Sequence, residues 1–159
     1  MDERPERNET PTERADRELL ELLNELRVVL PGITVLFAFL LAVPFGRGWA
    51  HVTDFERDVF LVAVLSTGVA IVCLTAPSSY HRLRFHRGEK QRLVVIGNRL
   101  AIAGIAAFAV ALLAAILLAV THVTSRAAGI AAAAGAGTLL FVLWYGLPAY
   151  AAVKARRAR

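Results

Sequence analysis

The chain has 159 residues, of which 57% are hydrophobic, and a formal net charge of +5. A soluble domain of this size needs less apolar material for its core, so most of the apolar surface must face lipid. The basic residues form short clusters beside apolar blocks, as in cytoplasmic membrane loops, which argues against nucleic acid as a partner. Cys73 is the single cysteine, so one chain can build neither a disulfide framework nor a thiolate metal site.

The first predicted element is a charged helix that leads into an apolar block. Residues 1–15 contain prolines and charges of both signs, and we expect them to form a disordered cytoplasmic tail. Residues 16–27 place glutamates on one side of a helical wheel and leucines on the other, which predicts an amphipathic helix on the membrane surface with Asp16 as its N-cap. Pro31 removes a backbone hydrogen bond, so we expect a bend there.

Four apolar blocks are each long enough to cross a bilayer as a helix. A helix of 18 residues, the length of the first block, spans about 27 Å, close to the thickness of the hydrocarbon core. The spans are expected at about residues 28–45, 59–80, 93–121 and 127–153. The predicted fold is an all-α membrane protein, with four transmembrane helices in an antiparallel bundle within residues 16–153 and a basic cytoplasmic tail at residues 154–159.

The distribution of Lys and Arg predicts the orientation. Five of these residues lie in the N-terminal segment, five in the second connection and four in the tail, against two and one in the other two connections. By the positive-inside rule, we expect a plasma-membrane protein with both termini in the cytoplasm.

Small and hydroxyl-bearing residues recur within the spans. We expect the hydroxyls of Ser66, Thr67 and Thr75 to bond to a carbonyl one turn earlier in span two. Spans three and four carry alanine and glycine at intervals of four, including Ala111 and Gly137, which would let another helix backbone approach closely. A simple effect of the alanine-rich composition is the alternative interpretation, and both stay open.

Residues that commonly carry chemistry are scarce in the spans. No Asp or Glu lies within the predicted spans, and none follows Glu89, which disfavours cation exchange through a midplane carboxylate. His51, His122, His81 and His86 all fall in predicted loops, so we expect none to ligate a haem or metal in mid-membrane. The sequence contains no phosphate loop, nucleophile elbow or paired zinc ligands. We therefore expect a protein that is not an enzyme and has no cofactor.

Polar residues converge on the cytoplasmic face of the predicted topology. They come from the start of span one, the end of span two and the start of span three: Asn24, Glu25, Arg27, Tyr80, His81, Arg82, Asn98 and Arg99. An arginine held partly out of water snorkels or takes an acidic partner, and we expect an ion pair between Arg99 and Glu25. The alternative is that these residues only end helices and mark the orientation.

Five short motifs carry a resemblance to a known family. They are NELRV at 24–28, LFAFLL at 36–41, APSSYHR at 76–82, NRLA at 98–101 and WYGLP at 144–148. Over about residues 16–150 the chain resembles a family of small, uncharacterised four-span integral membrane proteins common in actinobacteria. Some of its members carry an automatic sodium:proton antiporter label. The resemblance implies the four-span fold and brings no established activity, cofactor or catalytic residue.

Two functional hypotheses follow from these patterns. The first is a non-enzymatic structural or interaction protein of the membrane that forms homo-oligomers through the small-residue ridges, with the lipid bilayer as its surroundings. The second is a small oligomeric transporter or channel of unknown substrate, with Thr34, Ser66, Thr67 and Thr138 as its mid-membrane polar groups.

Overall fold

A computed structural model describes residues 11–84, 90–146 and 150, and the regular elements in these ranges are helical. The long helices are α1 (Pro11–Ala42), α2 (Asp54–Arg84), α3 (Lys90–Val123) and α4 (Arg126–Phe141). Two 3₁₀ turns, Val43–Phe45 and Arg47–His51, lead from α1 to α2, and a π turn, Val142–Gly146, follows α4.

Four segments of this structure are long and apolar enough to cross a membrane. They are Leu23–Phe45, Asp54–Ser79, Val95–Val123 and Arg126–Trp144. The predicted all-α chain with four candidate spans is therefore confirmed. The second span begins earlier than predicted, because α2 already starts at Asp54 instead of near residue 59.

The N-terminal boundary corrects the sequence prediction. One continuous helix starts at Pro11, so residues 11–15 are helical where a disordered tail was expected, and Asp16 is not an N-cap. Proline is well suited to the first turn of a helix, where its missing N–H would have no partner. The segment predicted to be amphipathic is the beginning of the same helix that contains the first candidate span, and this helix continues through Pro31. Residues 1–10 lie outside the described part of the chain.

The connection between spans two and three is shorter than predicted. The structure is helical up to Arg84 and again from Lys90, where the sequence predicted a loop over residues 81–92. Residues 85–89 lie outside the described ranges. At the other end of the chain, the end of predicted span four beyond Tyr150 and the basic tail at residues 154–159 also lie outside them.

Helices α1, α2 and α3 pack as a three-helix unit, in which each helix contacts the other two. Apolar side chains from all three helices form two buried clusters, one near each end of the unit. The buried residues of α2 recur every three or four positions, as on one face of a helix: Glu56, Val59, Phe60, Ala63, Thr67, Ala70, Leu74 and Pro77.

Helix α4 is held differently, since among the described helices it packs along α3. At buried Gly129 a Cβ atom would lie only 2.9 Å from the carbonyl oxygen of Leu117, so the two backbones are in direct contact. At Gly137 a Cβ atom would meet Leu113 at 3.5 Å. Gly137, which the sequence offered for close approach of another helix, and Gly129 therefore lie between two helices of the same chain.

Two of the three hydroxyls named for span two, those of Thr67 and Thr75, form the predicted local bonds. Thr67 Oγ1 donates to the carbonyl of Ala63 at 2.7 Å, and Thr75 Oγ1 donates to the carbonyl of Ile71 at 2.8 Å. Each bond satisfies the hydroxyl within its own helix, so the side chain needs no polar partner from its apolar surroundings.

Candidate functional site

Thr53 and Glu56 form a capping box at the start of α2. The backbone N–H and the hydroxyl of Thr53 both donate to Glu56 Oε2, each at 2.8 Å. In return, the backbone N–H of Glu56 donates to Thr53 Oγ1 at 3.3 Å. This reciprocal pair satisfies donors that the first turn of a helix leaves free, and it fixes the direction of the Glu56 side chain.

The other oxygen of this carboxylate bonds to α3. His122 Nδ1 lies 3.0 Å from Glu56 Oε1. An ionised carboxylate can only accept, so Nδ1 carries the hydrogen and donates it. The Glu56 side chain is 7% exposed and that of His122 is 46% exposed. The carboxylate therefore lies inside the protein and the imidazole at its edge.

The 3₁₀ turn Arg47–His51 lies against this pair. A Cβ atom at Gly48 would come within 3.1 Å of His122 Nε2, so the turn approaches the imidazole closely because residue 48 has no side chain. The ring of Trp49 meets that of Phe60 edge to face, with centroids 4.7 Å apart. We call this end of the three-helix unit, with the turn and the Glu56–His122 pair, the Glu56 end.

The start of α4 is also tied to the Glu56 end. The guanidinium carbon of Arg126 lies 4.0 Å from the centroid of the Phe55 ring, which places a cation over an aromatic face. Ser125 caps α4 by accepting a hydrogen bond from the backbone N–H of Ala128 at 3.3 Å. The first turns of α2 and α4 are thus fixed beside the last turn of α3.

A cavity of about 440 Å³ lies between α1 and α3, next to the turn. Its volume falls in the usual range of small-molecule sites. The walls are apolar side chains of the two helices, together with Trp49, and His122 is the one ionisable residue among those that line it. The cavity is open on one side, and the imidazole supplies a polar group at one end of it.

The polar cluster predicted from the sequence lies at the opposite end, which we call the Arg99 end. The structure places Asn24, Glu25, Arg27, Asn98 and Arg99 there with exposed side chains. The side chains of Tyr80, His81 and Arg82 lie outside the described part of the structure.

The expected ion pair at the Arg99 end is not formed. Leu26 and Ala101 belong to one buried cluster, so the segments that carry Glu25 and Arg99 do pack near each other. Among the described residues, however, no hydrogen bond or ion pair joins these two side chains. The structure brings the two segments together without bonding their charges.

The sequence contains a signal for the Glu56 end, which was missed because the segment around Thr53 and Glu56 was interpreted as a loop. Thr-x-x-Glu at residues 53–56, just before an apolar run, is the pattern of a capping box. Nothing in the sequence indicates that His122, 66 residues later, accompanies it. Within the described ranges, no group of three or more His, Cys, Asp and Glu side chains is placed to hold a metal ion.

The model of a family of unknown function, DUF6328, matches residues 8–148 of the chain. No curated protein and no solved structure matches the chain. The match confirms the predicted membership in an uncharacterised family. The actinobacterial origin and the antiporter label stay predictions.

Proposed function

We propose that this chain, which belongs to the DUF6328 family of unknown function, is a non-enzymatic interaction protein of the plasma membrane that self-associates through α4. Four candidate membrane spans support the membrane location. The distribution of Lys and Arg supports antiparallel spans with both termini in the cytoplasm and the amphipathic first turns of α1 at that surface.

One observation carries the self-association: α4 has a second small-residue ridge that the described part of its own chain leaves uncovered. Ala127, Ala131 and Gly135 are spaced by four and are exposed. Apart from the neighbouring backbone of α4 itself, no atom of the described residues lies within 4 Å of a Cβ atom built at Gly135. Small residues at this spacing let two helix backbones approach closely in lipid, where van der Waals contact drives association.

The structure also shows which small residues cannot serve this contact. Ala111 is fully buried, and Gly137 faces Leu113 of the same chain. A leucine at either position would press on neighbouring side chains of the monomer, so such variants do not test self-association. The exposed ridge of α4 is the surface to test.

Cysteine crosslinking in native membranes provides the test. In a chain with Cys73→Ala as its background, Ala131→Cys should give a crosslinked dimer, and adding Gly135→Leu should remove it. Val69→Cys, at an exposed position of α2, is the matched control for random collision in the bilayer. Equal dimer yields from positions 131 and 69, or a yield that Gly135→Leu leaves unchanged, would show that α4 is not an interface.

A small transporter is a second candidate, and the observation that favours it is the buried position of Glu56 within a candidate span. The sequence placed this carboxylate in a loop, whereas it lies buried in the candidate span Asp54–Ser79. Against this, the hydroxyls of Thr34, Thr67 and Thr138 each donate to a carbonyl of their own helix, at 2.9, 2.7 and 2.9 Å.

Flux measured in proteoliposomes separates the two candidates. Transport predicts a cation-dependent pH change above that of empty vesicles, which Glu56→Gln should abolish and the exposed control Asp58→Asn should preserve. If the chain is an interaction protein and not a transporter, the pH change in proteoliposomes should equal that in empty vesicles.

A further inference from the structure

We propose that the cavity between α1 and α3 binds a neutral lipid with a hydroxyl head group, whose hydroxyl bonds to Nε2 of His122 and whose chain lies along the apolar walls. The walls of this cavity come from α1, α3 and the turn before α2, so the site shares no residue with the exposed ridge of α4. The inference therefore holds or fails independently of self-association.

The free nitrogen of His122 determines the head group. Nδ1 is committed to Glu56, whereas no hydrogen bond to Nε2 is formed by the residues that the structure describes. Because Nδ1 carries a hydrogen, Nε2 is an acceptor in the neutral ring and a donor in the protonated ring. A hydroxyl group fits both states, since it can donate to the first and accept from the second.

The charge behind the imidazole disfavours other head groups. Glu56 is buried and bonded to the far side of the same ring. Beside a neutral imidazole, an anionic head group would place a second negative charge near this carboxylate. A quaternary ammonium head group has no hydrogen to donate to Nε2. Of these three head groups, a neutral hydroxyl therefore matches the site best.

The walls fit the rest of a lipid. One wall runs from Leu36 of α1 to Val43 of the first 3₁₀ turn, and the α3 wall runs from Ala115 to Val123. At about 1.5 Å per residue, these walls are roughly 10 to 12 Å long, about a third of the hydrocarbon thickness. With the imidazole beside the turn at the Glu56 end, a lipid would place its head group at the membrane surface and the first part of its chain in the cavity.

Trp49 lines the cavity and gives a direct readout of occupancy. In a Trp144→Phe variant it is the one remaining tryptophan of the chain. A long-chain alcohol brominated near its head should quench the fluorescence of Trp49 with a saturable dependence on its mole fraction in the micelle. The methyl ether of the same alcohol, and the brominated fatty acid, should bind about two- to tenfold more weakly, the ratio expected for one hydrogen bond.

Two variants test the two halves of the site. His122→Phe keeps an aromatic ring and removes the polar nitrogen, so it should bring the affinity of the alcohol down to that of the ether. Ala119→Phe fills the cavity from the α3 wall and should abolish saturable quenching by all three probes. This second variant leaves the Glu56–His122 pair in place, so it tests the site even where His122→Phe fails to fold.

A second groove of the molecule provides the matched control. It is apolar, has no ionisable side chain among its lining residues, and includes Phe37 of α1 and Gly68 of α2. Gly68→Leu should fill this groove and leave the quenching of Trp49 unchanged. Linear quenching that is equal for the three probes would mean that bulk lipid fills the cavity. A preference for the alcohol that persists in His122→Phe would also overturn the inference.

Discussion

The two ends of the three-helix unit differ in whether the polar side chains compared here are buried and hydrogen-bonded. At the Glu56 end, a buried carboxylate accepts three hydrogen bonds from Thr53 and His122. At the Arg99 end, Glu25 and Arg99 are exposed, and no bond joins them within the described structure. Of these two acidic residues, the one in the capping box is bonded to another helix, and the one in the predicted charged cluster is not bonded to Arg99.

The difference has a physical cause. The capping box already orients Glu56, so little conformational entropy remains to be lost when His122 bonds to it. Arg99 has a long side chain that can bring its guanidinium to water or to lipid head groups without a protein partner. A cluster of charges in a membrane sequence thus indicates orientation, whereas a bonded site requires side chains that are held in place locally.

The largest expected effect comes from removing the carboxylate at the Glu56 end. Glu56→Ala should destabilise the protein by about 2 to 4 kcal/mol, since it removes a helix cap and a hydrogen bond to a charged group. Thermal unfolding in detergent measures this. Asp58→Ala, an exposed position in the same turn, is the control and should change stability by less than about 0.5 kcal/mol.

A double-mutant cycle shows how much of that loss belongs to the contact between helices. His122→Phe, Glu56→Ala and the double variant should give a coupling energy of about 0.5 to 3 kcal/mol. Additive losses would mean that Glu56 acts only as the cap of α2, and the contrast between the two ends would then be one of local structure alone.

Gly129 tests how closely α4 is held to α3 near the Glu56 end. In Gly129→Ala the new Cβ atom would overlap backbone atoms of α3, and overpacking of this kind costs about 1 to 3 kcal/mol. Gly135→Ala, in the same helix with open space around it, should be neutral or slightly stabilising in the monomer. Equal stabilities of the two variants in detergent would contradict the close backbone contact.

The capping box alone should have a smaller effect. Thr53→Ala is expected to cost about 1 kcal/mol, the typical value for losing an N-cap side chain. Thr53→Ser keeps the hydroxyl and should retain most of the stability. If the alanine variant is as stable as the serine variant, the position of Glu56 is determined by His122 and the packing around it instead of by the cap.

How much of this structure the sequence could predict depended on the range of the interaction. Apolar runs set the four spans, and hydroxyls such as Thr67 found carbonyls of their own helix, because both depend on neighbouring residues. The start of α1 at Pro11 was missed, since the charged segment continues the helix of the span instead of forming a separate one. The Glu56–His122 contact was missed because it requires the relative placement of two helices, which hydropathy does not determine.

The smallest effect is expected at the Arg99 end. If Glu25 and Arg99 formed a buried pair, removing either partner would cost about 3 to 5 kcal/mol and the double variant much less. Since both side chains are exposed, we expect Glu25→Ala and Arg99→Ala each to change stability by less than about 0.5 kcal/mol, and the two changes to add. Unfolding of the two single variants and the double variant in detergent measures this. A coupling energy above about 1 kcal/mol would show that Glu25 and Arg99 do interact, so that Arg99 is held by a partner and not by water or lipid head groups. The Arg99 end would then contain a bonded pair, as the Glu56 end does.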